Sequence, residues 1–376
     1  MYPITDTKPN KNPTEEEKNA LYKAYARERI ELCLPQTNVL NRELSRAMFG
    51  PNYNAGDIRI SSVDAFDFAM EGSPAAAAKY SMNDNSVTFY RPSYDMFKGM
   101  LGAKYGDRSA LKREFDTTAG HELGHAVLMG AIKKRREDIA DRYMKGAMMS
   151  PLQYMSVAML DLDGYLERRG AIPRWLAYKY DEGAKLQESL AEVIGYSTSA
   201  HVNSMASDND SVAREMLGQV GVEAGSIAAT FGQWNGDFEK YVKLEGLAEL
   251  AEHKVTHASD YEIRAAGRER MERVCKDVKE LMLFYTMPRL GIAAALARHP
   301  TESLANFIKN ALGDPAELGI GVSKYILDKD GDVAEMNSKF AEANLQGKIK
   351  ILMEKSREIA TAAEAEAELR YPKGER

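Results

Sequence analysis

Polar and apolar positions change period along this chain, and each change marks an element. The opening MYPITDTKPNKNPTEEEK is polar, and Thr14 followed by Glu17 has the spacing of a capping box, so a helix is expected over about residues 13–31. Two runs follow that are rich in β-branched and aromatic residues, DIRISSVDAFDFAM and KYSMNDNSVTFYRP. The second contains Asn83-Asp84-Asn85, a turn signal, so both runs read as strands. From about Ser109 onward the spacing is helical, to the charged tail EKSREIATAAEAEAELR. The stretch 197–211, STSAHVNSMASDNDS, reads as a linker or long loop. The pattern implies an α+β chain in three parts: an N-terminal helical segment (1–50), a mixed domain (51–205) and a mainly helical region (206–376).

Composition narrows the partners. The chain has 376 residues, 44% of them hydrophobic, which is enough to bury a sizeable core. With 50 basic against 56 acidic residues the net charge is -6, so no general attraction for nucleic acid or anionic lipid is expected. No window of about 18 uninterrupted apolar residues occurs, which argues against stable membrane insertion. The N-terminus has neither the basic nor the apolar region of a secretory signal. Cys33 and Cys275 stand apart from each other and from any histidine, and read as free thiols in the cytosol or another reducing compartment. Neither charge nor pattern fixes an oligomeric state.

The chemistry concentrates in DTTAGHELGHAVLMG, residues 116–130. The chain has six histidines, and a chance H-E-x-x-H has odds of roughly one in a hundred. On a helix, His121 and His125 project from one face a turn apart, the spacing at which two imidazoles converge on one Zn²⁺. Glu122 stands at the edge of that face, where a carboxylate can accept a proton from water, and Gly124 leaves room for close packing behind. A catalytic zinc site needs a third protein ligand. The pattern H-E-x-x-H-x-x-G-x-x-H is excluded, because its last two positions are Leu128 and Ala131. A later helical segment, DEGAKLQESLAEVIGYS, offers Glu188 and Glu192 one turn apart, with Glu188 as ligand and Glu192 orienting His121.

HELGH followed by E-S-L-A-E resembles the gluzincin metallopeptidases, and within them the branch of anthrax lethal factor-type toxin and effector proteases. The likeness covers about residues 75–200. It implies a zincin-like catalytic domain, a small sheet plus an active-site helix, with helical additions before and after. It implies one zinc on His121, His125 and Glu188, with Glu122 as general base. It further implies a tyrosine that steadies the developing oxyanion, Tyr180 or Tyr178, and an edge strand that pairs with a protein or peptide substrate, placed at residues 85–92. The 62 residues between His125 and Glu188 imply an inserted helical segment. The expected activity is zinc-dependent endopeptidase cleavage of a protein substrate, in a bacterial effector or toxin that a specialised secretion system delivers into a host cell. The rival reading is a helical interaction module with a structural or vestigial metal site. A second pair, His253 and His257, has Lys254 where a peptidase carries glutamate, and reads as exposed helix surface.

Overall fold

In the computed structural model, residues 14–67, 78–81, 83–91, 108–144, 174–255, 257–313, 315–326 and 331–371 are described. They group into two compact units: residues Met1–Ala131 with Ile194–Met205, and Ile132–Val193 with Ala206–Arg376. Among the described residues helices dominate both units, and one small sheet makes the arrangement α+β.

The first unit opens with α1 (Glu15–Phe49), which has the expected capping box: Thr14 accepts from the Glu17 N–H, and the Glu17 carboxylate accepts from the Thr14 N–H at 2.8 Å. The helix runs well past residue 31, to Phe49. Three strands follow, β1 (Ser62–Asp67), β2 (Ala78–Ser81) and β3 (Ser86–Arg91). β2 and β3 form a hairpin whose turn holds Asn85 at φ +51°, a left-handed conformation that asparagine tolerates well. The strand order is β1-β3-β2, with β1 parallel and β2 antiparallel to β3. This corrects the edge-strand expectation for 85–92. The hairpin turn puts β2 on one side of β3, and β1 pairs along the other, from Ser62 opposite Ser86 to Asp67 opposite Arg91. From Ser86 to Phe89 both sides of β3 are paired, so this stretch is a central strand and not an edge.

Tyr22, Ala26, Ile30 and Cys33 of α1 close over Val63, Val87 and Phe89 of the sheet, together with Phe115, Ala119 and Leu123 of α2 (Arg108–Met144). Phe115 is the junction, edge-on to Tyr25 at 5.1 Å between ring centroids and stacked near Phe89 at 6.4 Å. A buried polar cluster pins the same helices. Asp116, fully buried, faces Arg29 at 3.5 Å and accepts from Asn203 at 2.9 Å. The Cys33 thiol, pushed up to about 12 by burial, points at the Asp116 carbonyl.

The second unit is a helical assembly that includes part of α3 (Arg174–Val202), then α4 (Asn209–Gly236), α5 (Phe238–Glu252) and α6 (Asp260–Leu281). A π-helical turn, Met282–Thr286, leads into α7 (Met287–Arg298), and the chain ends on the long C-terminal helix Leu345–Arg370, which packs along α4. The 197–211 stretch is not a long loop. Residues to Val202 stay in α3, because Ser197, Thr198 and Ser199 are small hydroxyl residues that bury well, and the turn is confined to 203–208. Asp208 caps α4 by accepting from the Ser211 N–H, which also lowers the Asp208 carboxyl. The chain also leaves the helix after Glu252, into a turn that holds His253 and Lys254, the latter at φ +57°, so His253 and His257 do not share a helix face. Cys275 is a buried free thiol pushed up to about 12, like Cys33.

Helices α5 and α6 cross at two glycines. A Cβ on Gly246 would meet the Ile263 carbonyl oxygen at 1.8 Å, and one on Gly267 the Val242 carbonyl oxygen at 1.8 Å. Ionic contacts line this crossing: Lys243 and Arg264 hold the Asp260 carboxyl at about 2, and Arg270 reaches Glu245, Glu249 and Glu252. Gly267→Ala gains about 1 kcal/mol of helix propensity. The clash is with rigid backbone, so the helices must separate, at an overpacking cost of about 3 kcal/mol or more. The net sign is destabilising: the midpoint of thermal unfolding falls by several degrees in Gly267→Ala. A midpoint equal to or above wild type contradicts the crossing.

Candidate metal centre

Helix α2 presents two faces. Phe115, Ala119, Leu123 and Val127 recur every four residues and are buried, forming the stripe that enters the core. By the 100° turn per residue, His121 lies about 180° and His125 about 140° around the helix from the middle of that stripe. The core-forming pattern therefore turns the histidines away from the apolar layer. Both are half-buried, whereas Glu122 between them is 4% exposed.

The C-terminal end of α3 runs antiparallel to the N-terminal half of α2. Arg113 meets Ser199 and Met205, Asp116 meets Asn203, and Thr117 and Gly120 meet Gly195 and Thr198. Glycine is required at this crossing. A Cβ on Gly195 would lie 2.7 Å from the Thr117 carbonyl oxygen and 3.2 Å from the His121 Cβ, and one on Gly120 would lie 3.1 Å from the Gly195 Cα. Gly195 and Ser199 share their helical face with Glu192 and Glu188, at three, seven and eleven residues' separation. Since α3 is one continuous helix, the face that seats Gly195 beside His121 carries both glutamates.

The histidine rings stand edge to face at 4.7 Å between centroids, with the two Nε2 atoms 3.1 Å apart. Two ligands at about 2.1 Å on a tetrahedral zinc are separated by about 3.4 Å, so this pair is already spaced as neighbouring ligands. His121, His125 and Glu188 each offer one ligand atom, and these atoms lie within 4.8 Å of one another. It is the one such cluster of three or more potential ligands among the described residues. Two imidazoles and a carboxylate are a donor set that suits zinc and leaves a fourth position for water or substrate. The residues fit the metal.

Glu192 lies one turn beyond Glu188 and receives Arg289 of α7 at 3.5 Å. Sequence reasoning did not single out Arg289, which is 97 residues from Glu192 with no motif around it; only Pro288 at the start of α7 signals an irregular helix there. Tyr178 and Tyr180 fall within the span of α3, but their side chains are outside the described residues. The inserted segment expected between the motifs falls largely on 145–173, also outside the described residues. Among the described residues no helix is long and apolar enough to cross a membrane. No family model, no curated protein and no solved structure matches this chain.

Proposed function

We propose that the chain is a zinc-dependent endopeptidase of the gluzincin type, hydrolysing peptide bonds of a protein substrate. The observation that carries this reading is the convergence of His121, His125 and Glu188 within 4.8 Å, with a buried glutamate, Glu122, beside the first histidine. Zinc, when bound, supplies a Lewis acid that polarises a carbonyl and makes water acidic near neutral pH. His121, His125 and Glu188 hold it. Glu122 takes the proton from the attacking water and delivers it to the leaving nitrogen, so one carboxylate serves as base and then acid. Tyr180 or Tyr178 donates to the oxyanion. A purely structural site has no need of a base, and the intact Glu122 favours the enzyme over an interaction module.

The test is metal content with cleavage of a broad peptide mixture. The purified protein is expected to carry about one zinc per chain, to cleave peptides, to lose cleavage on chelation and to regain it on adding zinc. Protein that takes up no zinc removes the metal centre. Protein that binds zinc and cleaves nothing moves the reading to a structural metal site.

A further inference from the structure

The helix that carries Glu188 is gripped on both sides of that residue by one irregular segment, the π-helical turn Met282–Thr286 and the first residues of α7. Three residues before Glu188, the buried Lys185 places its ammonium 5.3 Å from the Phe284 ring. Four residues after it, Glu192 receives Arg289 at 3.5 Å. Arg289 has two further contacts of its own, and one of its partners is held in turn. Its other Nη donates to Glu223 of α4, its Nε donates to the Tyr285 carbonyl at 3.3 Å, and the fully buried Thr286 hydroxyl donates to Glu223 at 3.0 Å. The side chains of Arg289, Glu192 and Glu223 are 17%, 19% and 27% exposed, so one guanidinium bridges two carboxylates partly shielded from bulk water. A π turn inserts an extra residue and rotates every side chain after it, and such turns gather at functional sites because they re-aim side chains.

We propose that Arg289 is a positioning residue for the metal centre, delivered by the π turn to set the rotation of α3 and to neutralise Glu192 beside the ligand Glu188. The inference rests on the zinc reading. Without Arg289, Glu192 and Glu223 lose the cation they share, and Glu192 no longer braces the helix that carries Glu188. A guanidinium fork is needed for this, since a lysine ammonium is a point charge that cannot bridge both carboxylates with fixed geometry.

The experiment is zinc affinity by chelator competition, with visible absorption of the Co²⁺-loaded protein, on wild type, Arg289→Met, Arg289→Lys, Glu192→Gln and the Arg289→Met/Glu192→Gln double variant. Arg289→Met is expected to bind zinc about 10- to 100-fold more weakly and to show altered cobalt bands. The double variant is expected to bind no more weakly than Glu192→Gln alone, because Arg289 acts through that carboxylate. Arg289→Lys is expected to recover part of the loss. A purely structural contact changes thermal stability but leaves affinity and cobalt spectrum alone, so an Arg289→Met protein with wild-type zinc affinity overturns the proposal. If Arg289→Met does not fold, Arg289→Lys decides: wild-type affinity and spectrum overturn the proposal, and weaker binding with altered bands supports it. Wild type that binds neither metal overturns the zinc reading and this inference together, an outcome visible in the wild-type arm alone.

Discussion

Glu122→Gln is expected to keep zinc bound and the fold intact while peptide turnover falls by at least about 10²-fold, the lower end of what a positioned general base contributes. Glutamine has the same shape as glutamate and still accepts and donates hydrogen bonds, so the 4%-exposed site stays filled. What it lacks is a basic carboxylate. In the proposed site the ligand atoms belong to His121, His125 and Glu188, so metal content should not change. The measurement pairs elemental analysis with turnover of a cleaved peptide in one preparation. Wild-type turnover with zinc bound removes Glu122 from the mechanism. A loss of turnover together with zinc makes Glu122 a structural residue instead.

Local chemistry was the legible part of this sequence. Thr14 and Glu17 announce a helix start because both partners of the capping box lie within four residues. Asn83-Asp84-Asn85 announces the hairpin because a left-handed turn position favours asparagine. His121 and His125 share a face because helical period depends only on their spacing. Expectations that needed long-range pairing fared differently. Whether β3 sits at an edge or in the middle depends on which side β1 pairs, and nothing in Ser86–Arg91 encodes that. Residues 197–202 look loop-like by composition, yet a helix with Gly195 packed to within van der Waals contact of α2 needs small side chains next to it, and serine and threonine supply them. Arg289 was invisible for the same reason: its meaning comes from Glu192 and Glu223, which are 97 and 66 positions away in the chain.

Glu188→Ala is expected to weaken zinc binding by more than the roughly 10- to 100-fold that characterises outer partners, and to abolish cleavage at ordinary zinc concentrations. Two imidazoles 3.1 Å apart remain in the variant, enough for weak binding but not for a site that holds its metal through purification. The loss also removes the only negative charge among the three ligands, so the remaining pair no longer offsets the dication. Fold is expected to survive, because Glu188 is half-buried on α3 while the packing of that helix on α2 runs through Gly195, Thr198 and Ser199. Chelator competition on Glu188→Ala beside Glu192→Gln ranks the two glutamates. The expected order is wild type, then Glu192→Gln, then Glu188→Ala as the weakest. If Glu188→Ala holds zinc as tightly as wild type, the third ligand is misassigned and Glu192 is the next candidate. That result would also recast the contact of Glu192 with Arg289, which would then hold a ligand directly.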